Sequence, residues 1–227
     1  MIYKDFHYER IDLKKSKSIL NKIISDFKNA DSAKIQIEAI KEVDGFSREY
    51  MTYQAMASLN YSRDINDDSA KNEKDYYDSI SPDMREIYDR FDKVLHQSKF
   101  KSEIIDMFGD TFLNQIEINL KTFDSKIKGM LKEEIELKNE YTELTAGAKI
   151  EFEGKEYNLA GLGPFHSNVN RSVRKESYEA RFSWFKSNED ELDNIYDKLV
   201  NLRHKIAVTL GYKNFIELGY FRMGRSD

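Results

Sequence analysis

The sequence contains no cysteine and only two prolines, Pro82 and Pro164, among 227 residues. The missing cysteine excludes disulfides and thiol nucleophiles, and it fits a reducing compartment, so a cytoplasmic location is expected. Scarce proline leaves little to interrupt helices, and abundant Lys, Glu and Leu favour long ones. No apolar run approaches the length of a membrane span, so no membrane partner is expected. The opening MIYKDFHYER has neither an apolar core nor a small-residue cleavage site, so it does not read as a secretory signal. No strong excess of one charge exists. The net charge is -5, with acidic and basic residues mixed along the chain, which argues against a nucleic-acid partner. There is no glycine-rich phosphate loop, no G-x-S-x-G and no H-E-x-x-H.

What is present is helical periodicity. Ile19, Leu20, Ile23, Ile24 and Phe27 make one apolar face. Asp31 or Ser32 caps a following helix that carries Ile35, Ala39, Val43, Phe46, Tyr50 and Tyr53, and the stretch to about Arg63 reads as one long helix or two nearly collinear ones. Residues 64–74 read as a polar loop or a solvated helix turn. Ser81 and Pro82 read as the cap and first position of the next helix, with Met84, Ile87, Tyr88, Phe91, Val94 and Leu95 as its core stripe. Shorter helices are expected over 102–108 and 110–123, then a longer one over 125–144. The aromatic residues of the helix starting near Val169 should face inward. Leu192, Ile195, Leu199, Leu202 and Ile206 step by three and four toward a stop at Gly211, after which Asn214 caps a short segment.

Between these helices the period changes to two. In KIEFEGKEYNL, Ile150 and Phe152 alternate with Glu151 and Glu153. A Gly154-Lys155 turn would set Phe152 opposite Tyr157 and Ile150 opposite Leu159, with one apolar face that must lie on helices. The expected fold is therefore mainly α, a multi-helix lobe with one inserted hairpin at about 149–159.

The chemistry-bearing residues are scattered. His7, His96, His166 and His204 are far apart in sequence and read as surface or packing residues rather than a metal site. Asp64, Asn66 and Asp68 have the spacing of a calcium loop, but Ser69 stands where that loop needs glycine. Glu133, Glu134, Glu136, Glu140 and Glu143 crowd one helix beside Lys132 and Lys138 and read as a solvated face. Arg171, Arg174, Lys175 and Arg181 interleave with aromatics, and ion pairing or the lining of a cleft fits them better than nucleic-acid binding.

Three stretches in order, FEGKEYNLAGL, NRSVRKESYEARFSWF and ELDNIYDKLVNLRHKIAVTLGYKNFIELGYFRMGRSD, resemble the N-terminal half of oligoendopeptidase F-like zinc peptidases, relatives of thimet oligopeptidase. EYTELTAGAKIEFEGKEYNL and SPDMREIYDRFDKVLHQSKF fit the same pattern. The resemblance implies two helical lobes around a channel that admits short peptides. It also implies zinc held in the second lobe by an H-E-x-x-H helix and a downstream Glu. None of those catalytic or metal-binding residues falls on a position here, so this chain is expected to bind no zinc and to be inactive alone. Ser177 stands where the family pattern has Ala, a change that a surface tolerates. Residues 1–211 would then be the N-terminal lobe, a non-catalytic wall of the channel. Residues 212–227 would begin the connection to a missing catalytic lobe, frayed for want of a packing partner. Tyr220, Arg222 and Arg225 sit at that junction with donors suited to a peptide carbonyl or C-terminus; helix capping and ion pairing are their alternatives. The alternative for the whole chain is a helical protein-interaction module, self-associating through the surface meant for the other lobe.

Overall fold

The computed structural model describes residues 7–225, and the regular elements among those residues are helices apart from one two-stranded hairpin. The chain divides into two units, residues 1–132 with 204–227, and residues 133–203.

The first unit is built on α1 (Leu13–Asn29), α2 (Ala33–Arg63) and α3 (Asp68–His96), which pack against one another. Asp12 caps α1 by accepting from the Lys15 amide at 2.7 Å, and Asp67 caps α3 by accepting from the Ser69 and Ala70 amides. The helical stripes close into one core. Leu20, Ile23 and Phe27 of α1 meet Ala39, Val43 and Tyr50 of α2 and Met84, Ile87, Phe91 and Leu95 of α3. Phe27 and Phe91 meet edge to face at 5.3 Å. Of the two readings its sequence allows, α2 takes the single helix. Ile19 and Ile35, expected on the apolar faces, are instead exposed.

α3 starts at Asp68, fourteen residues before the expected first position at Pro82, so Pro82 lies inside the helix and is buried. The reason is local repair. Proline removes the amide that would bond the Asp78 carbonyl, and the Ser81 hydroxyl donates to that carbonyl at 3.1 Å in its place. The capping chemistry of Asp67 and the burial of Tyr77 and Ile80 then carry the helix through.

α4 (Lys101–Phe108) and α5 (Asp110–Leu120) follow, and a 3-10 turn over Ser125–Ile127 leads into α6 (Lys128–Ala146). The later helix α9 (Glu189–Thr209) ends at Gly211, whose φ of 93° lets its amide reach Val208 and the Tyr212 amide reach Ala207. The predicted stop is there. The segment beyond it is not frayed: it forms α10 (Phe215–Arg222), which packs on α5 and buries Leu218 completely.

The second unit contains β1 (Ile150–Phe152), β2 (Lys155–Tyr157), α7 (Gly163–His166) and α8 (Arg171–Ser187). The hairpin lies where the alternation puts it, but its register differs. Phe152 faces Lys155, Glu151 faces Glu156 and Ile150 faces Tyr157. The turn is therefore Glu153-Gly154, with φ of 48° and 73°. Two positive φ values make a type I′ turn, whose twist matches the strands and which wants glycine second rather than first. Ile150, Phe152 and Tyr157 still share one face, and with Leu162 and Phe165 they pack on Val173, Ala180 and Trp184 of α8. Leu159 joins this cluster from outside the ladder. Not all aromatics of α8 turn inward: Tyr178 and Phe182 are exposed and form a stack with His166.

Candidate functional site

The residues singled out near the end of the sequence sit on and after α10. Asn214 caps it by accepting from the Ile216 amide at 2.9 Å. Gly224, at φ 72°, closes it: its amide bonds Phe221, and the Arg225 amide bonds Tyr220. Two contacts fix the helix to the end of α5. The Tyr212 hydroxyl donates to the Lys121 carbonyl at 2.8 Å, and the Lys121 ammonium lies 4.6 Å from the centre of the Phe221 ring.

This docking shapes a cleft of about 280 Å³. Arg85 of α3 and Arg222 of α10 line it, with Gln115, Asn119 and Thr122 as neutral polar groups and Phe123, Leu131 and Phe221 as apolar wall. Arg85 is held from one side. Its Nη2 donates to the Asn119 carbonyl at 2.9 Å and to Thr122 Oγ1 at 2.8 Å, and its Cζ lies 5.9 Å from the Phe123 ring centre. Among the described residues it makes no direct ion pair.

Two buried acids of α3 complete the electrostatics. Asp92 accepts from Asn119 Nδ2 at 3.3 Å. Burial pushes its carboxyl up to about 6, against the pull of Arg85. Asp89 pairs with Lys93 at 2.6 Å through one oxygen, and its other oxygen has no hydrogen-bond partner among the described residues. Burial holds the Arg85 guanidinium below its ordinary value. Asp92 and Asp89 counter this, and Arg222 adds to it.

Of the three residues expected near a substrate channel, Arg222 lines this cleft. Tyr220 and Arg225 are exposed and are not part of its lining. Arg85, Gln115, Asn119 and Thr122 were not legible as site residues. One signal was available: Arg85, Asp89 and Asp92 follow the i, i+4, i+7 spacing of one helical face beside the apolar stripe.

The second unit has a groove of about 710 Å³ lined by Tyr141, Phe185, Leu192, Tyr196 and Arg203 among others. Its acidic helix is not a uniformly solvated face. Glu134 is buried and accepts from Arg203 Nε at 2.8 Å. The basic residues of α8 serve the backbone. Arg174 donates to the Asn168 and Val169 carbonyls and Arg181 to the Leu159 carbonyl, while Lys175 pairs with Glu179 at 3.5 Å. Ser177, read as a surface position, is fully buried; its hydroxyl is satisfied by the Arg174 carbonyl at 2.9 Å.

Among the described residues no group of three or more His, Asp or Glu could hold a metal ion. The four histidines do not converge: His96 faces Glu117 at 3.9 Å, His166 stacks on Tyr178, and His7 and His204 are exposed. In the 64–75 stretch, Asp64 accepts from the Asn66 amide and Asp67 caps α3, so these carboxylates close turns.

Comparison with known proteins gives a consistent picture. A family model for the peptidase M3 N-terminal domain matches residues 3–123. A crystal structure of a protein assigned as an oligoendopeptidase F superposes on the whole chain with a TM-score of 0.95 and 38% identity. PZ peptidase A with an inhibitor gives 0.95 and 37%, and a protein assigned as an oligoendopeptidase F from Bacillus anthracis str. Ames gives 0.94 and 35%. The present chain covers 40%, 40% and 42% of those three chains. No curated protein matches at a significant level.

Proposed function

Because the chain belongs to the M3 peptidases, matching their N-terminal domain, we propose that it is the N-terminal, non-catalytic lobe of a zinc-dependent oligoendopeptidase and forms one wall of its substrate channel. M3 is a metallopeptidase family. The observation that carries the reading is the superposition of the entire chain on a stretch amounting to 40% of an oligoendopeptidase F. In this reading residues 212–227 begin the connection to the catalytic lobe, and that lobe supplies the metal ligands. The residues described here do not fit a zinc centre, so no chemical step is assigned to them. Their work is to bind and to exclude. Helical walls admit a short extended peptide and keep folded proteins out. Tyr220, Arg222 and Arg225 offer donors to its carbonyls or its C-terminus. The setting is the cytoplasm and the substrates are short peptides.

The test is hydrolysis of an internally quenched fluorescent peptide by the purified chain, with added zinc and then with a chelator. No cleavage is expected from the chain alone, and restored cleavage is expected when the remainder of an oligoendopeptidase F is supplied in trans. Cleavage by the pure chain that a chelator abolishes would overturn the non-catalytic assignment.

The exposed Tyr141 and Tyr196 at the apolar groove of residues 133–203 favour a second property, self-association of the isolated chain. Sedimentation that shifts with concentration would support it, and a constant monomer up to high concentration would dismiss it.

A further inference from the structure

We propose that the cleft between α3, α5 and α10 binds an organic carboxylate, held by Arg85 and Arg222, and that its occupant is the C-terminal residue of a peptide. The argument starts from charge. Two guanidinium groups line one small cleft, and no carboxylate lines it with them. Arg85 is oriented by two hydrogen bonds from one nitrogen, Nη2, to the end of α5. Those bonds fix its plane without neutralising it. The acids that act on it, Asp92 and Asp89, stand on the same helix and are themselves buried. The Nε–H and Nη1–H donors of Arg85, left over and held in a fixed plane, can donate to the oxygens of a carboxylate.

The rest of the lining decides which anion. Gln115 and Thr122 can bond a neighbouring amide, while Phe123, Leu131 and Phe221 give an apolar wall. Inorganic phosphate has no use for that wall. A carboxylate attached to an apolar side chain and a peptide group uses every part of the lining, and about 280 Å³ has room for one or two such residues. Arg222 was already a candidate from its place at the end of α10. Arg85, from a helix more than a hundred residues earlier, is the new member. That the carboxylate is a peptide's own end rests on the function proposed above; the anion site does not.

The experiment needs no hydrolysis, so it separates this inference from the peptidase reading. The 15N-labelled chain is titrated with an N-acetylated dipeptide ending in leucine, with its C-terminal amide, and with inorganic phosphate. The Arg Nε–H signals and calorimetry are followed. The free acid is expected to shift the signals of Arg85 and Arg222, and the amide to bind about ten- to a hundredfold more weakly. Arg222→Gln and Arg85→Lys should each weaken the free acid by about tenfold or more, with thermal melts showing that both variants remain folded. Arg85→Lys keeps the charge but loses the planar Nε–H and Nη1–H donors, and Arg222→Gln leaves the Arg85 bonds to α5 intact. Phosphate binding without peptide binding would overturn the assignment to an organic carboxylate. Unshifted Arg signals with every probe, or full affinity in both variants, would overturn the site itself.

Discussion

Residues 1–132 with 204–227 hold together differently from residues 133–203. In the first unit sixteen buried residues from five helices join one cluster, whereas the hairpin cluster of the second has three, Ile150, Phe152 and Leu162, with partly buried neighbours around them. The core cluster of the first unit holds its aromatics inside: Phe27, Tyr50, Tyr77 and Phe91 are all buried. The second leaves Tyr178, Phe182 and Tyr196 in solvent. Three-helix packing gives each apolar stripe two partners, while a short hairpin can cover only part of one helix. The contrast teaches where stability is concentrated and where surface is left over for binding.

The largest effect should come from the deeper core. Phe27→Ala removes a ring that is 1% exposed and packed on Phe91, and it should cost about 3–5 kcal/mol in chemical denaturation. Leu162→Ala, at a residue 0% exposed in the hairpin cluster, should cost less, about 2–4 kcal/mol. Its hydrogen-exchange protection should be lost first over 150–157. A greater loss for Leu162→Ala than for Phe27→Ala would reverse the comparison.

A third prediction concerns the buried polar face of the first unit. Its site favours the protonated form of Asp92, raised from an ordinary value of 3.8 to about 6. Between those values the folded chain keeps a proton that the unfolded chain has released. Stability therefore falls as pH rises through that window, and the penalty is complete above about pH 6. Asp92→Asn should remove this slope and gain about 2 kcal/mol at pH 8 relative to its effect at pH 4, read from paired denaturation curves. Asp83 provides an opposite sign. Lys17 and Lys128 hold its carboxyl below the ordinary range despite burial, so its contribution is present above that range and fades as pH falls through the lowered value.

The smallest effect belongs to the hairpin turn. Glu153 occupies a positive-φ position that asparagine adopts more readily. Glu153→Asn should raise stability by about 0.5 kcal/mol, measured as a small increase in melting temperature. A loss instead would mean that the turn is not type I′.

Local chemistry by itself determined much of this protein. The period of the apolar residues fixed the helices of the main core, the alternation around Ile150 and Phe152 located the hairpin, and Asn214 and Gly211 marked a cap and a stop. All of these depend on neighbours within a few residues, whose spacing the chain carries wherever it folds. The tertiary structure decided the fate of the polar groups. Gln36 is buried because its amide donates to the Phe27 carbonyl at 3.1 Å and its oxygen accepts from Ser98. Glu134 leaves its solvated neighbours because Arg203, 69 residues away, reaches it. Pro82 continues a helix because burial on both sides of it outweighs one lost hydrogen bond. Arg85 became a cleft residue only when α10 packed on α5 and brought Arg222 beside it. A polar side chain in isolation reads as surface, and only a partner distant in sequence makes its burial affordable.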